Sequence, residues 1–137
     1  MRKLLVPIDG SESSLRAVAW AANLAKRAND VSIHLLHVGE EPPTYEKPHA
    51  KIEAWLRQQS VEILARAEEP LRSANVPYTK DALTGPIAPT IAEHAAKLGC
   101  DAIVMGTRGM SATGNLVIGT VASKVVHLTR LPVTLVK

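Results

Sequence analysis

Two spacings of apolar residues alternate along the chain. Residues 4–8, 31–38 and 102–106 are short, nearly unbroken apolar runs. Between them apolar positions recur three and four residues apart, as in Leu15, Val18, Ala22 and Ala25, or in Ile52, Leu56, Ile63 and Ala67. Runs of the first kind predict buried strands, and stripes of the second predict helices buried along one face. The pattern yields strands at 4–8, 31–38, 76–83, 102–106 and 133–136, and helices at 12–28, 49–73, 87–98 and 120–128.

Local signals sharpen these elements. Asp9-Gly10 ends the first strand, Ser11 is placed to cap the helix, and Glu12 suits its first turn. Trp20 lies off the apolar stripe and covers a helix edge. Asn29-Asp30 is a turn. The segment 39–48 holds three prolines and reads as a loop of the kind that closes over a ligand. Pro70 removes a helical N–H, so a kink or break is expected at 66–69. Pro77 places the third strand at a sheet edge. Pro89 falls in the first turn of the third helix, where proline is tolerated, and Gly99 ends that helix.

Strands alternating with helices imply an α/β fold: a single doubly wound domain with a parallel sheet and right-handed crossovers. At 137 residues the chain has the size of one domain. It is 46% hydrophobic and 21% charged, as in an ordinary globule. The apolar stretch after Met1 is too short for a signal peptide, and a single cysteine, Cys100, allows no internal disulfide. Both fit a cytoplasmic protein. Aromatic residues are only 3%, too few for a platform that stacks single-stranded nucleic acid. The expectation is no nucleic acid and no membrane.

Charge is distributed unevenly. From Ala102 onward there is no Asp or Glu, while Arg108, Lys124, Arg130 and Lys137 give +4, and the rest of the chain sums to about −1. That basic segment contains Gly106-Thr107-Arg108-Gly109 at the end of a strand and Gly119-Thr120 at the start of a helix. A first helical turn carries N–H groups without internal partners, which attract anions. A glycine at its cap lets a phosphate oxygen approach, and Thr120 adds a hydroxyl. A Cβ at Gly119 would fill that space, and a branched side chain would resist any positive φ there. Glycines also punctuate ordinary turns. Asp9, at the end of an inner strand, likewise reads either as a ligand-facing carboxylate or as a turn and cap residue.

The spacing Gly106-x2-Gly109-x9-Gly119-Thr120 after an apolar strand resembles the ATP-binding loop of the universal stress protein family. Pro7-Ile8-Asp9-Gly10-Ser11 is similar to that family's first strand end, and the resemblance spans residues 1–137. It implies a sheet of order 3-2-1-4-5 with helices on both faces, the adenine nucleotide alpha hydrolase-like arrangement. That order brings Asp9 beside Gly106 at the topological switch point. The resemblance further implies ATP with Mg²⁺, Asp9 near the ribose and the metal-bound phosphates, and Val38 against the adenine. The nucleotide-binding set it carries over is Pro7, Asp9, Gly10, Ser11, Val38, Met105, Gly106, Arg108, Gly109, Gly119, Thr120, Val121 and Ala122. The family's usual Gly-Asp-Pro before the third helix is replaced by Gly85-Pro86-Ile87, so a shifted helix start is expected.

The leading function is a nucleotide-dependent stress-response regulator or binding module, with an unidentified protein partner. The alternative is a slow ATPase or nucleotidyl-transfer enzyme. Against it, the chain has no G-x-x-x-x-G-K-[S/T] and no His-x-Gly-His, and Asp9 is the only general-base candidate by the loop. A phospho-receiver is excluded because Leu83-Thr84 stands where its Asp would be, and a flavin carrier because aromatics are scarce. His34 and His37 lack a Cys or His at metal-ligand spacing and read as structural or half-exposed. Cys100 reads as a small core residue. The apolar strand at 133–136 is placed to pair with a second copy, giving a homodimer.

Overall fold

The computed structural model describes residues 2–40, 49–107 and 118–137. Within them the order is β1 (Arg2–Pro7), α1 (Glu12–Arg27), β2 (Val31–Gly39), α2 (His49–Ser73), β3 (Tyr78–Thr84), α3 (Ile87–Lys97), β4 (Ala102–Gly106), α4 (Thr120–Leu128) and β5 (Val133–Val136). The five strands form one parallel sheet of order β3-β2-β1-β4-β5.

Period-two alternation divides the sheet's side chains between two apolar layers. Leu4, Val6, Ile8, Ile33, Leu35 and Val104 pack with α1 and α2. Leu5, Leu36, Val38, Ile103 and Met105 pack with α3 and α4. Each fully buried aliphatic side chain contributes about 1.5–3 kcal/mol, so the central strands β1, β2 and β4 carry most of the stability. The buried face of α1 is built from small residues, Ser13, Ser14, Ala17, Ala21, Ala22 and Ala25 among them. Their size lets that helix lie close on β4.

Three expectations about local structure are settled here. No break occurs in α2, which runs through Pro70. Leu64, Ala67 and Leu71 anchor it to the sheet on both sides of the proline, and the ladder resumes where the Ala74 N–H donates to the Pro70 carbonyl at 3.2 Å. β3 begins at Tyr78, so Pro77 stays just outside it; its carbonyl still accepts from the Ile33 N–H at 3.2 Å. α3 starts at Ile87 without a shift. Pro86 caps it with no side-chain bond, its carbonyl accepting from the Thr90 N–H at 3.1 Å.

Beside the edge strand, Glu68 of α2 is buried and collects Lys80 at 2.7 Å, Arg72 at 2.6 Å and the Tyr78 hydroxyl at 2.7 Å. This cluster joins α2 to β3. Cys100 lies in the second apolar layer, and burial pushes its thiol pKa up.

Candidate functional site

The carboxyl ends of β1 and β4 lie side by side. Leu5 pairs with Ile103, and the same register carried three residues further sets Ile8 beside Gly106 with Asp9 just beyond. Asp9 is exposed, and its Oδ1 accepts from the Ser11 N–H at 2.9 Å. Ser11 performs the capping, its Oγ accepting from the Ser14 N–H at 3.1 Å. Gly10 between them has φ +86°, a left-handed conformation that favours glycine. Pro7 is buried and pairs with Leu36 of β2.

Gly106 is required by packing. A Cβ there would strike the Ser13 hydroxyl and come within 2.6 Å of the Ser13 backbone carbonyl. The chain beyond β4 is tied to the same sheet edge. The Thr107 N–H donates to the Val136 carbonyl at 3.0 Å, and the Gly119 N–H donates to the Thr107 carbonyl. α4 therefore starts at the carboxyl edge of β4. Gly119 caps it with φ −62° and ψ 160° and no side-chain cap bond. The sequence-based argument from positive φ at Gly119 is thus corrected: the backbone is ordinarily extended, and only the space left by the missing Cβ bears on a ligand. The helical ladder opens with Ser123 N–H to Gly119 carbonyl at 3.0 Å. The amides of Thr120, Val121 and Ala122 precede it and have no partner in that ladder.

The remaining members of the expected set divide by burial. Val38, Met105 and Ala122 are buried together in the second apolar layer, with Val121 packed against it. Thr120 is exposed at the helix start. Arg108, Gly109 and the loop at 41–48 lie outside the described residues.

Both strand-two histidines are buried, at 5% exposure for His34 and 7% for His37, so neither is half-exposed. The Nδ1 of His37 meets Ser60 Oγ at 2.8 Å, joining α2 to β2. Burial holds its pKa below the usual histidine value, opposed by the charge of Asp9. The signal in sequence was a polar residue within a buried strand, which demands a partner. His34 is buried as a structural histidine would be, and residues far along the chain supply the neighbours that local spacing does not. Its Nδ1 meets Thr79 Oγ1, and Asp81 and His94 lie alongside.

The model of the universal stress protein family matches residues 1–137. The universal stress protein YxiE of Bacillus subtilis is 32% identical over 146 residues, covering 98% of each chain. The universal stress protein MJ0531 of Methanocaldococcus jannaschii is 31% identical over 140 residues, covering 99% of this chain and 82% of its own. Among solved structures, the UspA of Lactobacillus plantarum superposes with a TM-score of 0.85 at 20% identity, over 99% of this chain and 97% of its own. An Archaeoglobus fulgidus universal stress protein in complex with dAMP gives 0.75 at 21% identity, over 100% and 98%. An Arabidopsis thaliana family protein with AMP bound gives 0.73 at 23% identity, over 100% and 92%.

Proposed function

The chain belongs to the universal stress protein family, and on that footing we propose that it binds ATP with Mg²⁺ in the crevice between β1 and β4 and acts as a nucleotide-dependent stress-response regulator. One observation carries the reading: the start of α4, without a side-chain cap, is held at the carboxyl edge of the sheet, one strand away from the exposed Asp9. Three successive amides there suit the oxygens of a phosphate. Asp9 has the oxygen chemistry that Mg²⁺ prefers, and the metal would supply charge neutralisation between carboxylate and phosphates. Val38 and its apolar neighbours would take the adenine. The dAMP and AMP complexes of the two family structures support an adenine nucleotide.

This reading includes one domain over residues 1–137, a cytoplasmic location, and a homodimer through β5, whose residues are only half-buried in the single chain. The first test is mass spectrometry of nucleotide carried through native purification. The parent protein should retain ATP, and Gly119→Val should lose it while keeping its circular dichroism spectrum. Equal retention by the variant would refute the role of the α4 start.

A further inference from the structure

His34, Asp81 and His94 converge from β2, β3 and α3, with one ligand atom from each lying within 4.8 Å of the others. The sheet register explains the meeting. His34 pairs with Thr79, and Asp81 pairs with Leu36, two residues further along. His34 and Asp81 therefore share the face covered by α3. His94 sits in the last turn of α3, a helix that runs back toward the amino ends of the strands. The cluster lies mid-sheet, where His34 is level with Leu5 and Asp81 with Leu36 and Pro7, on the β3 side of β2 and set back from the strand ends that carry Asp9 and Gly119.

Asp81 Oδ2 lies 2.8 Å from His94 Nε2 and 3.1 Å from His34 Nε2. Only the first contact is a hydrogen bond. His34 Nε2 is fully buried, on a side chain 6% exposed, and has no hydrogen-bond partner among the described residues. Leaving such an atom unsatisfied is costly, because it gives up its water without gaining a partner. In the tautomer whose Nδ1–H donates to Thr79, Nε2 would turn a lone pair toward the Asp81 oxygen 3.1 Å away, and a cation between the two would bond to both.

We propose that His34, Asp81 and His94 form a binding site for a divalent transition-metal ion, with Zn²⁺ as the ion the chemistry fits best. Two imidazoles and one carboxylate are a common zinc set with a fourth position left for water. Tetrahedral ligands at about 2.0 Å from the metal stand about 3.3 Å apart, so Asp81 needs to withdraw slightly while the two imidazoles, whose ligand atoms lie within 4.8 Å of each other, settle onto the ion. The Asp81 side chain is 43% exposed and has room to do so. With the ion on Nε2, the His34 Nδ1–H would donate to Thr79 Oγ1, the outer hydrogen bond that zinc-binding histidines use. The bound ion would clamp the edge strand β3 and the end of α3 to β2.

The test uses the full chain freed of nucleotide, with Zn²⁺ by calorimetry and Co²⁺ as a spectroscopic probe. One ion per chain is expected, with the intense visible absorption of four-coordinate Co²⁺ and a raised melting temperature with Zn²⁺. Asp81→Asn and His94→Gln should each weaken Zn²⁺ by roughly a hundredfold, whereas Asp9→Ala should leave it unchanged. For the parent protein, ring-proton NMR should show His34 and His94 perturbed by Zn²⁺ and His37 untouched, a readout that needs no variant to fold. Absence of the Co²⁺ spectrum, or ring shifts confined to His49 and His127, would overturn the site and leave a hydrogen-bonded His–Asp cluster. Because the site shares no residue with the proposed nucleotide crevice, its failure would say nothing against ATP binding.

Discussion

Gly106 shows how one residue can be read correctly in position and incompletely in cause. Its place at a strand end beside a possible phosphate loop was legible from spacing. Its contact with Ser13 was not, because that contact depends on how closely the small residues of α1 let the helix approach β4. Gly106→Ala should therefore cost about 2–3 kcal/mol in urea unfolding, as overpacking a tight contact does. A variant as stable as the parent would place the helix further from the strand than 2.6 Å from the added methyl group allows. The same limit governs the histidines. His34 and Asp81 are far apart in sequence, and only the β2–β3 register makes them neighbours. The cap at Ser11 was legible because it is a local bond between residues three apart.

At the scale of elements, the apolar period located every strand and helix to within about two residues, since burial of one face or both is what stabilises each of them. Pro70 was the exception. The propensity penalty of a mid-helix proline is about 3 kcal/mol, and the packing of Leu64, Ala67 and Leu71 outweighs it. Glu68, two residues before Pro70, ties α2 to β3. Burial alone would raise its pKa, but hydrogen bonds from Lys80 and Tyr78 and the charges of Lys80 and Arg72 bring it below the ordinary 4.5. A depressed carboxylate pKa stabilises the folded state fully above the unfolded value, and that stability drains as pH falls through the folded value. Glu68→Gln should thus be about 1–3 kcal/mol less stable near neutral pH, with the gap narrowing below about pH 4.5. Urea midpoints measured from neutral to acid pH check this; a gap independent of pH would assign Glu68 to packing alone.

For the whole molecule, the order β3-β2-β1-β4-β5 creates both the crevice and the free edge. The crevice arises where β1 and β4 send their connections to opposite faces of the sheet. The edge arises because β5 is last and has a neighbour on one side only. Val126 and Leu128 of α4 are exposed as well, at 47% and 54%, and they add apolar surface near the edge. Light scattering behind size exclusion should give a dimer, and the double variant Val133→Asp, Leu135→Asp should give a monomer, because each carboxylate would be buried without a partner. A monomeric parent, or a dimeric double variant, would reject pairing through β5. Which ligand fills the crevice is the central question, and calorimetric titration of ATP with and without Mg²⁺ addresses it most directly. The parent should bind ATP more tightly with Mg²⁺, and Asp9→Ala should lose most of that gain while keeping the metal-free affinity. No heat and no thermal shift at millimolar Mg²⁺-ATP would contradict an ATP site between β1 and β4.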